Sequence, residues 1–169
     1  MVPVSQLSAC VTPEATLDQP VEHLRACHRR IEQRLEALER AAAGIGTQPD
    51  EARAVIAKSL RFLETNGVWH TEDEEQSLFP RLLAKIEPGD REFLRQLAEQ
   101  HEKVEALVAR LRETRLDDPE FPGAVADAAR AYREHISFEE TRLLDVARAA
   151  LSPAEIAEVA AEMKARRGL

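Results

Sequence analysis

The sequence predicts an all-α protein, an antiparallel up-down four-helix bundle with a short extra C-terminal helix. Three observations support this fold class. Ala, Leu, Glu and Arg, which favour helices, dominate the 169 residues, and only 4% of residues are aromatic. Val and Ile never alternate over a strand-length run. Gly-, Pro- and Asp-rich stretches at 44–50, 87–90 and 116–123 divide the chain into segments of helical length.

These turn signals place the helices in order. The first begins at Pro20, and Asp18 is its expected cap. The second is expected to be interrupted at Asn66-Gly67 and bent or ended at Pro80. The four long helices are expected at about 20–43, 50–83, 91–115 and 123–150. A fifth, short helix follows, because Ser152 with Glu155 three residues later has the capping-box pattern.

Apolar residues three and four positions apart mark the expected buried face of each long helix. In the first helix the set is Val21, Leu24, His28, Ile31, Leu35, Leu38 and Ala42, which includes one histidine. In the third helix the set is Leu94, Leu97, His101, Val104, Val108 and Leu111. In the fourth helix the set is Val125, Ala128, Tyr132, His135, Glu139 and Val146. In the second helix the pattern is poorer, and the set is Ile56, Leu63 and His70. Four such helices joined by short turns form an antiparallel bundle.

Each buried face carries one histidine, at His28, His70, His101 and His135. Residues on neighbouring antiparallel helices lie at one level when they are equidistant from the turn between them. The midpoints of successive histidines fall at position 49, between 85 and 86, and at 118, each in or next to a predicted turn. We therefore expect the four imidazoles in one layer of the core. His23 lies about 140° around the helix from His28 and is expected outside.

A glutamate follows each of these histidines by four residues, on the same helix face and about 6 Å further along the axis. The four glutamates are Glu32, Glu74, Glu105 and Glu139. A buried carboxylate without a partner is costly, whereas imidazoles and carboxylates together bind transition metals. Helical bundles build dinuclear sites from Glu and His one turn apart. The pattern therefore indicates two metal ions with a bridging oxygen species.

The stretch "HTEDEEQSLFP" at 70–80 is then partly buried. We expect His70 and Glu74 to face the metal, and Glu72 and Glu75 to remain in water, while Asp73 lies at the edge of the buried face. Mixed nitrogen and oxygen ligands favour iron over structural zinc, with manganese or a mixed pair as alternatives.

Four segments resemble the hemerythrin-like, or HHE cation-binding, domains. They are "LRACHRRIE", "HTEDEEQSLFPRL", "LAEQHEKVEAL" and "YREHISFEETRLL", one on each long helix. The resemblance extends from about Pro20 through the ending "LSPAEIAEVAAEMKARRG". One HxxxE is a weak motif, but its repetition together with "EExxLFP" and two further spaced histidines is specific.

This resemblance implies a non-haem di-iron centre, two iron ions joined by an oxo or hydroxo bridge. It implies two bridging carboxylates, Glu74 and Glu139, and four terminal ligands, His28, His70, His101 and His135. Oxygen-carrying members have a second histidine in the third helix where this chain has Glu105, a seventh candidate ligand. The extra carboxylate favours higher oxidation states and argues against reversible oxygen carriage. Other members have a ligand directly after the second-helix histidine, where this chain has Thr71.

Three aromatic residues lie near these ligands. Tyr132, one turn before His135, is expected as a core tyrosine, with a hydrogen bond to a bridging group or ligation of ferric iron as the alternative. Trp69 and Phe79 are expected to serve packing.

Composition and the N-terminus exclude other classes. The net charge of −8 argues against nucleic-acid binding, and no apolar run approaches the roughly 20 residues that span a membrane. "LSAC" resembles a lipoprotein box, but no basic residue precedes Arg25 and no apolar core precedes Cys10. We expect a flexible arm at 1–17, the bundle at 18–169 and a cytoplasmic protein. Cys10 and Cys27 are expected to be unpaired thiols.

Three functions are consistent with the sequence. The first is a di-iron protein that reacts with or senses dioxygen, peroxide or nitric oxide, with catalase-like or peroxidatic turnover left open. The second is iron storage, or iron donation to repair other centres. The third is a metal-independent helical interaction module with structural histidines. Protein partners are not indicated by any pattern in the chain.

Overall fold

The computed structural model describes residues 16–169, which form an all-α helical bundle that contains no strand. The first long helix is α1 (Pro20–Gly44). The second comprises α2 (Pro49–Phe62), α3 (Val68–Glu72) and α4 (Phe79–Leu83), joined by π-helical segments at Leu63–Gly67 and Asp73–Leu78. A 3₁₀ turn (Pro88–Asp90) leads into the third, α5 (Arg91–Glu113). The fourth comprises α6 (Phe121–Phe138), a π-helical segment (Glu139–Leu143) and α7 (Leu144–Ala150), and α8 (Pro153–Arg166) follows.

The predicted all-α bundle is confirmed, but one predicted cap is wrong. Asp18 does not cap α1; Gln19 occupies that position without a side-chain hydrogen bond, and Asp18 pairs with Lys164 on α8. The capping box of α8 is present, since the Ser152 amide donates to Glu155 Oε2 at 2.8 Å and the Glu155 amide donates to Ser152 Oγ at 3.3 Å.

The second long helix continues through both of its predicted breaks. Pro80 lacks an N–H group and would clash with the carbonyl four residues earlier in a regular helix. The π-helical segment before it accommodates this, because the Phe79 amide donates to the Glu74 carbonyl five residues back. Gly67 is buried in the other π-helical segment, where a Cβ would lie 3.1 Å from the Tyr132 hydroxyl. Any larger residue there would press on that hydroxyl, and glycine avoids this contact.

Ion pairs between the first and fourth long helices show that the two run antiparallel. Glu22 pairs with Arg148, and Glu32 pairs with Arg133, so residue numbers rise along one helix as they fall along the other. In the contacts between the other neighbouring helices, residue numbers likewise rise along one helix as they fall along the other. α1 packs closely against α2 and α6, and α5 against α6, whereas α2 and α3 approach α5 less closely.

Two apolar clusters fill the interior on either side of a polar layer. One cluster includes Leu35, Leu38, Ile56, Val108, Leu111 and Phe121. The other includes Leu24, Leu78, Phe93, Leu97, Leu143 and Met163. Each large side chain buried in this way contributes roughly 1.5–3 kcal/mol relative to exposure.

The buried face of the fourth helix differs from the prediction at its end. Val146 is only half-buried, whereas Leu143 and Ala147 are buried. The physical reason is the π-helical segment at Glu139–Leu143, which inserts one extra residue and shifts the inward face by one position.

His23 was predicted outside and is fully buried. Its Nδ1 lies 3.0 Å from Thr16 Oγ1, and its Nε2 lies 3.5 Å from Cys27 Sγ. The prediction failed because α1 is buried by other parts of the chain as well as by the neighbouring helices of the bundle. α8 packs against it, and Leu17, the last residue of the predicted arm, is buried in the core.

Two further predictions concern the N-terminal part and the membrane. Cys10 and the predicted arm up to residue 15 lie outside the described residues. Within residues 16–169, none of the helices combines the length and apolar character required to cross a lipid bilayer.

Candidate metal centre

Four histidines and two glutamates form the polar layer between the two apolar clusters. His28 comes from α1, His70 from α3, His101 from α5 and His135 from α6, and each exposes 3% or less of its surface. The side chains of Glu74 and Glu139 are fully buried among them. The single layer of imidazoles that the sequence predicts is therefore present.

The histidines form two pairs. The His28 and His70 ring centroids lie 4.9 Å apart, and those of His101 and His135 lie 4.6 Å apart, with the rings of each pair nearly perpendicular. Each pair joins one histidine from each of two adjacent helices.

Glu139 reaches both pairs with different oxygens. Its Oε2 lies 2.7 Å from His28 Nε2 and 3.4 Å from His70 Nε2. Its Oε1 lies 2.7 Å from His135 Nε2 and 3.5 Å from His101 Nε2. This carboxylate thus spans the two histidine pairs.

Glu74 spans the same gap from the second long helix. Its Oε1 lies 3.6 Å from His70 Nε2, and its Oε2 lies 3.2 Å from His101 Nε2. The result is two four-residue groups that share both glutamates, each with its ligand atoms within 4.8 Å of one another. One group adds His28 and His70 to the glutamates, and the other adds His101 and His135.

The π-helical segments separate the inward glutamates from the outward ones. Glu74 and Glu139 lie in such segments, and the amide five residues later donates to the backbone carbonyl of each. Glu32 and Glu105 lie in regular α-helix; Glu32 is half-buried and binds Arg133, whereas Glu105 is exposed. The π-type bond follows Glu139, whose own amide donates to the His135 carbonyl four residues back, so the step from that histidine to the glutamate is a regular α-helical turn.

The outer nitrogen of three histidines is held by an oxygen atom. Nδ1 lies 2.9 Å from Glu140 Oε1 in His28, 2.7 Å from Glu75 Oε1 in His101 and 3.1 Å from Gln100 Oε1 in His135. Carboxylate and amide oxygens accept, so Nδ1 is the donor, and in a neutral imidazole Nε2 then presents its lone pair to the centre. These contacts orient the imidazoles as metal ligands require.

These outer partners were not predicted from the sequence, although it contains a signal for two of them. His70 and His135 are each followed by a glutamate doublet, Glu74-Glu75 and Glu139-Glu140. In both doublets the first residue faces the centre and the second binds the Nδ1 of a histidine on a neighbouring helix. Glu75 was predicted to stay in water; it is exposed but has this contact.

His70 has different surroundings at its outer nitrogen. Its Nδ1 has no hydrogen-bond partner among the described residues, and the sulfur of Cys27 lies beside the imidazole. Cys27 is buried and unpaired, and Arg30 Nη2 donates to its sulfur at 3.0 Å. Burial alone would raise the pKa of the Cys27 thiol, but the neighbouring His23 and His70 lower it to about 5.

Asp73, which the sequence left at the edge of the buried face, is fully buried between two arginines of the C-terminus. Its Oδ1 accepts from Arg166 Nη1 at 2.5 Å, and its Oδ2 accepts from Arg167 Nη2 at 2.7 Å. Arg167 also lies over the Trp69 ring at 5.5 Å, and Glu72 is half-buried 3.7 Å from Arg166. Arg166 and Arg167, at the end of α8, thus contact Trp69 and Asp73, the residues directly before His70 and Glu74.

The two central carboxyl groups have opposite pKa shifts. Burial, and then the negative charge of Glu139, raises the pKa of Glu74 to about 7. Burial would also raise the pKa of Glu139, but the charge of His135 and hydrogen bonds from the histidines hold it well below its usual range. Glu139 is therefore the more strongly stabilised anion.

The imidazoles respond to these carboxylates. Burial opposes protonation, yet the nearby carboxylates of Glu139 and Glu74 raise the pKa of His101 to about 10. Burial lowers the pKa of His70, but the charge of Glu74 together with the neighbouring Cys27 and Glu139 raises it well above its usual value. Burial lowers the pKa of His135.

Buried polar atoms without a hydrogen-bond partner test whether these residues fit a cation. Among the described residues, seven buried side-chain atoms lack a partner, and five of them are ligand atoms of this layer: both Glu74 oxygens, Glu139 Oε1, and the Nε2 atoms of His70 and His101. Orphaned carboxylate oxygens and imidazole nitrogens that converge in a dry interior are costly unless a cation satisfies them. The donor set therefore fits bound metal.

The remaining sequence candidates lie outside the two groups. The structure does not bring Glu105 to the centre, because its position is turned towards solvent on the regular helix α5. Tyr132 is buried one turn from His135, and within residues 16–169 no hydrogen bond joins it to any of the six residues of the layer. Phe79 stacks on His101 with 6.1 Å between ring centroids, so its packing role is directed at a candidate ligand.

Comparison with known proteins agrees with this geometry. No curated protein sequence matches the chain. The sequence profile of the Hemerythrin HHE cation binding domain matches residues 19–147, a span that includes all six residues of the buried layer. The chain therefore belongs to the hemerythrin HHE cation-binding family.

Proposed function

We propose that the chain holds a non-haem di-iron centre that reacts with or senses dioxygen, peroxide or nitric oxide. The observation that carries this proposal is the shared pair of carboxylates. Glu74 and Glu139 each present one oxygen to each histidine pair, which is the arrangement of two bridging ligands between two cations.

The donor set also supports the choice of metal. Each group offers two imidazole nitrogens and two carboxylate oxygens, a mixture that would suit iron. When bound, such a metal pair supplies electrons and an open position to a small oxidant or diatomic molecule. Manganese has similar ligand preferences, so metal analysis must accompany any functional test.

The chain's own residues would support this chemistry in two ways. The apolar clusters on both sides of the layer exclude water, which strengthens the electrostatic contacts within it. Glu75, Gln100 and Glu140 fix the orientation of three imidazoles through Nδ1.

Metal quantification on purified protein tests the proposal directly. We expect about two iron atoms per chain, as dinuclear bundle sites hold. Glu74→Gln, which keeps the shape and removes a bridging charge, should lower the metal content. The matched control is Glu105→Gln on an exposed glutamate outside both groups, which should leave the content unchanged.

Reactivity requires a separate measurement. The reduced protein should gain a ligand-to-metal charge-transfer absorption on exposure to dioxygen or peroxide, or an altered spectrum with nitric oxide. If the iron instead passes to a chelator or an apo-acceptor without any spectral response to these molecules, iron storage or donation is the better assignment.

A further inference from the structure

A cleft lies between the second long helix and α5, where these helices approach each other less closely than their neighbours do. Its volume is about 340 Å³, within the range of small-molecule sites. Leu63, Val104 and Val108 form apolar walls, and all three are buried side chains. None of the six residues of the metal layer lines this cleft.

Tyr132 provides a polar group on the wall of the cleft. Its side chain is 6% exposed, and its hydroxyl has no hydrogen-bond partner among residues 16–169. The hydroxyl oxygen is not among the fully buried orphaned atoms, so a ligand that donates to it replaces cleft water with a directed hydrogen bond. Gly67 lines the same cleft, and its missing side chain gives the hydroxyl room.

The rim of the cleft is acidic. Glu64 is neutralised by Arg112, whose Nη1 donates to its Oε1 at 2.8 Å. Glu105 and Glu113 line the cleft without an ion pair in the described part of the chain. Glu105 is close enough to Tyr132 for its charge to act on the phenol, which burial and then this charge give a raised pKa.

We propose that this cleft binds a small organic amine with a compact apolar body. The ammonium group donates to the Tyr132 hydroxyl oxygen and pairs with the Glu105 carboxylate, while the apolar body packs against Leu63, Val104 and Val108. The observations on which this rests are the cleft, its unpartnered phenol and its unpaired acidic rim. The proposal gives Glu105 a role in ligand recognition outside the metal layer.

Charge decides between ligand classes of the same size. An anion would meet two unpaired carboxylates on a chain of net charge −8 and is disfavoured. A neutral molecule can fill the apolar walls and bond to Tyr132, but leaves the carboxylates in water. A monovalent amine satisfies both.

The test compares three probes with one ring and different charge on the full-length, metal-loaded protein. Isothermal titration with cyclohexylamine, which is cationic at neutral pH, should show saturable binding. Cyclohexanol should bind at least threefold more weakly, and cyclohexanecarboxylate should not bind. The proposal is overturned if the alcohol or the carboxylate binds as tightly as the amine, or if the amine does not bind.

Variants then locate the bound amine. Glu105→Gln and Tyr132→Phe should each weaken cyclohexylamine binding about three- to fivefold. Ala109→Trp, at an exposed lining position, should fill the cleft and abolish binding without altering the core. Glu102→Gln, on the same helix but outside the cleft, is the matched control and should bind normally. Unchanged binding in Ala109→Trp would place the amine elsewhere and refute the assignment.

Discussion

The two glutamate doublets show how one residue position separates two roles. Glu74 and Glu139 lie in the core and face the histidine pairs, whereas Glu75 and Glu140, one residue further on, bind an outer imidazole nitrogen from a partly exposed position. One residue corresponds to about 100° of helix rotation, so adjacent acids face different surroundings. The burial of the first acid and the exposure of the second follow from this rotation.

The outer acids should tune metal affinity without abolishing binding. We expect Glu75→Gln and Glu140→Gln to retain both metal ions but to lower their affinity about 10- to 100-fold, because loss of the charged partner reduces ligand basicity and orientation. Competition with a chelator of known affinity measures the change. Glu102→Gln, exposed and with no hydrogen bond or ion pair to a histidine among residues 16–169, provides the baseline. Complete loss of metal in Glu75→Gln would show that this residue is a direct ligand.

Metal binding should release protons. Without metal, the pKa of His101 is about 10 and that of Glu74 about 7, so both groups carry protons at neutral or mildly acidic pH. A metal ion requires neutral imidazole and ionised carboxylate. Metal affinity should therefore rise with pH from about 6 to 10, the interval that contains these pKa values. Calorimetry in buffers of different ionisation enthalpy counts the protons, and a result of zero would contradict the assignment.

The metal-free chain should have its own pH dependence. The folded-state pKa of Glu139 is depressed, so this group stabilises the fold above its unfolded value, near 4.5, and the stabilisation is lost as pH falls through the folded value. The raised pKa of His101 stabilises the fold below about 6.5, and this contribution is lost as pH rises through about 10. Urea unfolding of chelated protein at several pH values should show both trends. Stability that is flat below pH 4 would contradict the first.

At the scale of elements, the turn of the second long helix that carries Glu74 is contacted by α8. The π-helical segment at Asp73–Leu78 contains Glu74 and is contacted from outside by α8. Arg166 and Arg167 bind Asp73, and Arg166 Nη2 also donates to Ser77 Oγ at 3.2 Å. Because π-helical turns are less stable than regular ones, an external contact there helps to hold Glu74 in place.

Removing this support should affect both stability and the metal site. Asp73→Asn leaves two mostly buried arginines without their anion, and we expect a loss of about 3 kcal/mol in the free energy of unfolding. Since Glu74 is the next residue, the charge-transfer spectrum of the metal centre should shift as well. Denaturant unfolding and absorption spectroscopy measure the two effects.

The matched control uses the same helix. Arg81 pairs with Glu158 and Glu162 of α8 at more exposed positions. Arg81→Ala should therefore cost no more than about 1 kcal/mol and leave the spectrum unchanged. Equal spectral shifts in the two variants would mean that docking of α8 in general, rather than Asp73, influences the centre.

At the scale of the whole molecule, a charged layer divides the hydrophobic core. The apolar clusters on its two sides bury the large side chains, while the six polar residues between them include orphaned acceptors. Removal of bound metal would leave carboxylates and imidazoles to neutralise each other in a dry interior, which is a costly arrangement.

Chelation should therefore destabilise the entire bundle. A ligand that binds only the folded state stabilises it by an amount that grows with concentration relative to Kd, about 4 kcal/mol at a thousandfold excess. We expect a fall in Tm of at least about 8 °C after dialysis against a chelator, and recovery when iron is restored. A metal-independent module with structural histidines predicts no change in Tm, so thermal scans distinguish the two.

The sequence by itself determined the helices and the layer of histidines. Steps of three and four residues identify the buried face of α1 and α5 because regular helices repeat every 3.6 residues. The levels of His28, His70, His101 and His135 follow from their distances to the turns. The same arithmetic identified Glu74 and Glu139 as inward acids, but it could not distinguish them from Glu32 and Glu105, which have the same spacing.

The family resemblance singled out Glu74 and Glu139 as bridging carboxylates, but only the tertiary structure shows that Glu32 is held by Arg133 and that Glu105 faces solvent. The π-helical segment at Glu139–Leu143 alters the helix repeat locally, so Val146 turns away from the core, and no single-helix periodicity contains that information. The burial of His23 likewise depends on α8 and Leu17, which approach α1 from elsewhere in the chain. Local sequence sets which face of a helix is apolar, whereas the number of elements that cover that helix is a property of the assembled fold.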